Sequence, residues 1–260
     1  VSAQTWTEGP LLGFDTETTG VETHRDRIVT AAVVLRAGPE TTVRTWLIDP
    51  GIPIPAEAAA IHGITTEYAR QYGQQPGEAL EEIAALIAGH LRAGHPLVAF
   101  NATFDVTILE AELKRHGLPT VEDRISRAFS PVIDPLVLDR ALDRYRRGKR
   151  KLIDLCTVYD VLDTGTFHTA DADVIATLDL LAKMVQKFPD LGGAELAQLH
   201  AFQARAHAAW AENFNDFLRS KGRTADASTQ WLGRDPEAPT TLQSVTPLPG
   251  GPDSPTGKLF

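Results

Sequence analysis

The sequence predicts an α/β domain of three layers around a mixed sheet, and three observations carry that prediction. Strand-like segments crowd the start of the chain. Further on, short apolar strands alternate with helical stripes. The alternation then stops at Pro189-Asp190-Leu191-Gly192-Gly193. Strands joined by short turns pair antiparallel and strands returned by a helix lie parallel, so together the two parts give a mixed sheet flanked by helices.

The first strand, Leu11-Leu12-Gly13-Phe14, runs into the turn-rich Asp15-Thr16-Glu17-Thr18-Thr19-Gly20. Residues 27–35 are rich in β-branched side chains and 42–48 alternate, which completes an antiparallel meander of three strands. A proline-bounded stretch, 50–55, precedes short helices at 56–60 and 65–71. Residues 78–91 set Leu80, Ile83, Ala84, Ile87 and Leu91 at helical spacing. A buried strand at 97–100 leads to a helix over 105–116, ended by Gly117 and Pro119. A short strand at 131–134 makes five in all. Helices are expected at 136–145, 152–159 and 172–188, the last with Val174, Leu178, Leu181 and Val185 on one face. Beyond the break, 194–220 reads as one long helix whose Trp210, Phe214 and Phe217 are expected in the core. From Gly222 the chain is rich in proline and glycine and cannot build a core of its own. The expected organisation is a main domain at 1–188, a helical extension at 189–221 packed on or near it, and a dispensable tail at 222–260.

A content of 43% hydrophobic and 23% charged residues excludes a disordered, collagenous or rod-like chain. The single cysteine, Cys156, excludes a disulfide framework and a multi-thiolate zinc site, and is expected to be inert core. No apolar run reaches the ~20 residues of a membrane helix, and residues 1–10 lack a signal pattern, so the expected location is cytoplasmic with no membrane partner. The net charge of −9 argues against bulk adhesion to nucleic acid. It leaves room for a local basic site, or for carboxylates that hold cations.

Asp15 and Glu17 are two apart on a strand and so share a face. Taken alone, the pair is either a solvated strand end or a site for Mg²⁺ or Mn²⁺, whose preferred ligands are hard oxygens. The apolar Leu12 and Phe14 before them favour the cation. Asp105 lies at a strand-to-helix junction, where it is either a helix cap or a site residue. His168 and Asp173 converge only if His168 sits in the loop before the helix. Asp171 is then a structural cap and Asp173 lies in the first turn.

With these residues in place the chain resembles the DEDD 3′–5′ exonucleases of the His-type branch, and is similar to the epsilon-subunit-like exonucleases of bacterial DNA polymerase III. The resemblance rests on Phe14-Asp15-Thr16-Glu17-Thr18-Thr19-Gly20, Ile61-His62-Gly63-Ile64-Thr65, Asn101-Ala102-Thr103-Phe104-Asp105 and 168–173, and covers roughly residues 10–188. Phe100 stands where many members have a histidine before the asparagine. The resemblance implies a ribonuclease H-like fold and two Mg²⁺ or Mn²⁺ ions. Asp15, Glu17 and Asp173 would hold the first, Asp15 would bridge to the second and Asp105 would orient its shell. It further implies His168 as general base, release of 5′-nucleoside monophosphates from 3′ ends, and contacts to the substrate from Thr16, Thr18, His62, Asn101 and Phe104. Single-stranded DNA is the substrate favoured, in proofreading or repair, with short RNA as the alternative. A DNA polymerase or replication clamp is the implied protein partner; the terminal Lys258-Leu259-Phe260 is too short to argue for one.

Residues 144–151 hold six basic side chains in eight. They form either a solvated loop or a run of phosphate contacts through Arg146, Arg147, Lys149 and Arg150. A non-catalytic nucleic-acid or polymerase-binding module on the same fold would not need to keep mutually repelling carboxylates. A small-nucleotide phosphohydrolase fits neither the basic stretch nor the spacing of His168 and Asp173.

Overall fold

A computed structural model describes residues 5–161 and 169–232. Strands β1 (Leu11–Thr18), β2 (Ile28–Ala37) and β3 (Glu40–Leu47) form the expected antiparallel meander. After α1 (Ala56–His62), α2 (Thr66–Tyr72) and α3 (Pro76–Arg92), strand β4 (Leu97–Val98) pairs parallel to β1. Helices α4 (Ala102–Arg115) and α5 (Val121–Ile125) then lead to β5 (Val132–Ile133), parallel to β4. The sheet order is β3-β2-β1-β4-β5, the mixed five-stranded sheet the sequence predicts. Helices α6 (Pro135–Leu142), α7 (Leu152–Val158), α8 (Ala170–Lys187), α9 (Pro189–Gly193) and α10 (Leu196–Ser220) follow. Among the described residues no helix is long and apolar enough to cross a membrane.

The pleat sorts side chains into two cores. Leu12, Phe14, Val33, Leu97 and Val132 pack toward α3 and α4. Val34, Val98 and Ile133 pack with Val174, Leu178 and Leu181 of α8 on the other face. Adjacent residues fall in opposite clusters, as a period of two requires. β1 is central, buried on both faces and flanked by β2 and β4, which makes its C-terminal end a rigid mount.

Four features depart from the sequence reading. Helix α4 begins at Ala102, so Asp105 is one turn inside and is not a cap. Asn101 precedes it at φ 60°, a left-handed conformation that asparagine tolerates. Helix α8 is preceded by Thr169, and Asp171 lies in the first turn instead of capping it. Helix α6 stops at Leu142. Phe214 and Phe217 are 38% and 46% exposed and Trp210 is only partly buried, so the aromatic stripe of α10 is not core.

Helix α10 seals the sheet edge. Gln203, fully buried, donates to Val132 O at 3.0 Å and accepts from Asp134 N at 2.7 Å. His200 Nδ1 accepts from Val132 N at 3.1 Å. Side chains thus replace the sixth strand that an open edge would invite. Part of the expected tail also belongs to the body. Ala227 exchanges two hydrogen bonds with Asn215, and Trp231, 3% exposed, packs 4.9 Å from the His200 ring. The segment 222–232 has no core of its own but adds to the main one.

Candidate active site

Asp15 and Glu17 leave β1 on the face toward α8. A shift of register between Glu17 and Thr18 bends the strand end there, as bulges beside functional sites do. Helix α8 can approach because residue 13 is glycine. A Cβ at Gly13 would lie 2.3 Å from Val174 Cγ1 and 3.2 Å from Leu178. This close contact sets the first turn of α8, with Asp173, over the strand. Oxygens of Asp15, Glu17 and Asp173 lie within 4.8 Å of one another.

Asp105 approaches from the other layer and is buried. Its Oδ1 accepts both from Thr16 N at 3.0 Å and from Thr16 Oγ1 at 2.7 Å. Thr16, read from sequence as a substrate contact, is buried and commits its hydroxyl and amide to Asp105. It ties the two layers together between the two strand carboxylates.

These acids disfavour one another's charge. Burial raises the Asp15 carboxyl well above its ordinary range, and Asp105, Asp173 and Glu17 add to the effect. Glu17 is pushed up to about 7 by burial and by Asp173. Asp105 is raised to about 7 by burial, against the Thr16 hydrogen bonds. A set of hard oxygen donors that resists ionising together suits a divalent cation, which would relieve both the burial cost and the repulsion.

Asp134 supports the site from behind. Its carboxylate accepts from Asn101 N at 3.0 Å and Ala102 N at 2.9 Å, capping α4, and from Leu136 N at 2.9 Å, capping α6. Asn101 itself contributes no side-chain cap. Burial raises Asp134 to about 6. The sequence reading missed this residue, although Asp134-Pro135 is a cap-and-N1 signature. Gly13 and Gln203 were also missed. Gln203 was visible only as a polar residue within an apolar helical stripe.

His62 Nδ1 accepts from Ile64 N at 3.2 Å. Its Nε2 is buried toward the Thr18 backbone, short of hydrogen-bond geometry, and burial lowers its pKa. It lines a cavity of about 290 Å³ with Glu17, Tyr68, Thr169 and Asp171. Thr18 Oγ1 donates to Gly20 O at 2.7 Å. Phe104 packs against the main core, and Asn101 is exposed at the mouth of α4. His168 lies outside the described residues.

The basic stretch divides. Arg146 Nη2 reaches Asp139 Oδ2 at 2.8 Å, and Arg150 pairs with the same oxygen. Asp139 is fully buried and also accepts from Tyr159 OH at 2.9 Å. Arg146 and Arg150 therefore brace the loop between α6 and α7, which corrects their reading as phosphate contacts. Arg144, Arg147, Lys149 and Lys151 are exposed.

Carboxylates from the end of the central strand and from the first turn of α8 thus form a candidate site for a divalent cation. The chain belongs to the exonuclease family of RNase T type, whose model matches residues 12–181. This bears out the DEDD-type 3′–5′ exonuclease family read from the sequence. DNA polymerase III PolC-type of Streptococcus thermophilus is 33% identical over 196 residues, 74% of this chain but 12% of the polymerase. The PolC-type enzyme of Caldanaerobacter subterraneus is 27% identical over 195 residues, 75% of this chain and 13% of that one. The chain thus spans about an eighth of the length of these relatives. The zinc-bound E. coli ExoI–ssDNA complex superposes with TM-score 0.61 at 19% identity, covering 76% of this chain and 43% of that one. Exonuclease I of Methylocaldum szegediense gives 0.59 at 22%, covering 80% and 46%.

Proposed function

We propose that the protein removes 5′-nucleoside monophosphates from the 3′ ends of single-stranded DNA, in proofreading or repair. The observation that carries this is the convergence of Asp15, Glu17 and Asp173 within 4.8 Å, with Asp105 held beside them through Thr16, in a chain of the exonuclease family. Two Mg²⁺ or Mn²⁺ ions, when bound, would supply Lewis-acid stabilisation of the attacking and leaving oxygens. Asp15, Glu17 and Asp173 would hold the first ion and Asp105 would serve the second. His168 is assigned the proton of the attacking water, a task suited to imidazole near neutral pH. His62 and Thr18 would border the terminal nucleotide.

Single-stranded DNA is supported by exonuclease I, crystallised with ssDNA on the same fold. Action beside a DNA polymerase is supported by the PolC-type relatives. The test is turnover, in Mg²⁺ or Mn²⁺, of 5′-labelled single-stranded, duplex, mismatched and RNA oligonucleotides side by side. Stepwise shortening of the single strand, abolished in Asp15→Asn, is expected. Preference for RNA, or full turnover by Asp15→Asn, would overturn the assignment.

A further inference from the structure

We infer that α10 and the adjoining basic loop form a second contact surface for single-stranded nucleic acid, upstream of the metal site. The inference rests on the exonuclease reading and adds a place where the strand is gripped.

Three contacts fix the direction of α10. His200 meets Val132, Gln203 meets Asp134, and Trp210 meets Arg140, whose guanidinium lies 3.8 Å from the ring centroid. The helix therefore runs parallel to β5 and α6, toward the sheet end that carries Asp15 and Glu17. Its second half continues in that direction, with one face buried through Ala211, Asn215 and Leu218. By the rise of an α-helix, Phe217 stands about 20 Å past Gln203.

On a more exposed side of this half the rings form a ladder. Trp210 and Phe214 are stacked at 5.4 Å and 9°, and Phe214 and Phe217 at 6.4 Å and 23°. Arg140 covers Trp210, which leaves the two phenylalanines presented to solvent. Lys221 Nζ lies 5.8 Å from the Phe217 ring. The nearest acids on the helix, Glu212 and Asp216, point roughly 130–170° away from the stripe. The ladder is thus bounded by cations in a chain of net charge −9. Helix α6, packed against α10 through Arg140, continues directly into the loop with exposed Arg144, Tyr145 (73% exposed), Arg147 and Lys149. Exposed rings beside exposed cations meet the two needs of an unpaired strand: stacking for bases and charge for phosphates. An apolar protein partner would have no use for that surrounding charge.

The test uses the full chain and fluorescent oligothymidylates, with binding measured in EDTA so that nothing is cut. Phe214→Ala with Phe217→Ala should weaken binding of a long strand, about 20 nucleotides, roughly 10- to 100-fold. The slope of affinity against salt should not change. Phe214→Leu with Phe217→Leu keeps apolar bulk without rings and should bind as weakly as the alanine pair. The tyrosine pair should bind like the parent. Hydrolysis of a small thymidine phosphodiester in Mn²⁺ should stay within about twofold, since it has no upstream bases. Parental affinity in the alanine or leucine pair overturns the inference. So does an equal loss on the small substrate, or a parent dimer that the alanine pair dissociates. A parent protein that binds long strands yet cuts none refutes the catalytic reading alone.

Discussion

Gln203 holds the main-chain N–H of Asp134 at 2.7 Å across 69 residues of sequence, and the Asp134 carboxylate holds the first turn of α4. That turn carries Asp105. A helix outside the α/β alternation is thereby linked to the metal site through one buried amide and one buried carboxylate. Gln203→Leu would leave Asp134 N–H and Val132 C=O buried and unpaired, at about 1–3 kcal/mol each. Chemical denaturation should show that loss. Asp134→Asn has one acceptor oxygen in place of two, so α4 loses a cap hydrogen bond. Turnover and Mn²⁺ affinity should both fall, and excess Mn²⁺ should restore part of the turnover. Unchanged Mn²⁺ affinity in Asp134→Asn would show that the cap does not position Asp105.

Gly13 should be intolerant for a reason of packing, not of backbone freedom. An alanine there drives into Val174 and Leu178, and overpacking of this kind costs about 1–3 kcal/mol. The displaced element is α8, so Asp173 should move off Asp15 and Glu17. Gly13→Ala is expected to lose metal affinity as well as stability. The compensating variant Val174→Ala should recover both. Recovery of stability without metal affinity would separate packing from the site.

Mutually repelling, buried carboxylates make the metal a stabiliser. At a concentration 100 times Kd, Mg²⁺ or Mn²⁺ should add about 2.7 kcal/mol, a shift of several degrees in Tm. Asp15→Asn removes an acid whose charge is opposed by burial and by Asp105, Asp173 and Glu17. It should therefore melt higher than the parent without metal and gain nothing when metal is added. A variant that melts lower in EDTA and still responds to Mn²⁺ would contradict the electrostatic account.

Sequence patterning reached most of the fold because it reports burial. The alternation in β1, β2 and β3, the stripe Leu80, Ile83, Ile87 and Leu91, and the break at Pro189 each follow from which face is dry. The candidate acids were legible because Asp15 and Glu17 share a face after the apolar Leu12 and Phe14, which favours a cation over a solvated strand end, and because the motifs around them resemble a known family. What escaped depends on distance in sequence. Asp105, from its own position, was open between cap and site residue because the true cap, Asp134, comes from beyond β5. Arg146 and Arg150 looked like phosphate ligands because the buried Asp139 that holds them sits on the preceding helix. Trp210, Phe214 and Phe217 looked like core because helical spacing shows that residues share a face, not that the face is covered.

His200 gives the protein an acid-side sensitivity. Its ring is buried, its Nδ1 accepts from Val132 N–H, and burial lowers its pKa to about 4. The unfolded chain would protonate first, near the ordinary value of about 6.5. The stability it contributes is therefore full above about pH 6.5 and is lost as pH falls toward 4. Asp105, Glu17 and Asp134 are raised, so their contributions run the opposite way, present below about pH 4 and lost as pH rises through 6–7. A difference profile isolates the histidine. Gln at position 200 keeps an acceptor without a titration, so the Tm of the parent minus that of His200→Gln should shrink from pH 7 to pH 5. A constant difference would remove His200 from the account.

The basic stretch should now behave as two sets. Arg144, Arg147, Lys149 and Lys151 are exposed and open to phosphates, whereas Arg146 and Arg150 hold Asp139. Replacing the exposed four with alanine should lower the slope of log affinity against log salt by about 0.7 for each phosphate no longer neutralised. The weakening should be blind to base sequence, because the phosphate backbone carries none. Melting should hardly change, since these side chains reach into water. Arg146→Ala should do the reverse. It removes a charged hydrogen bond to a carboxylate with no access to solvent, at roughly 1.5–3 kcal/mol, and should lower Tm more than it lowers the salt slope. Strand binding and melting curves of both variants, over a salt series, read the two effects independently. If Arg146→Ala flattens the salt dependence while leaving Tm intact, the ion pair with Asp139 is not what holds it, and the assignment of that arginine to phosphate returns.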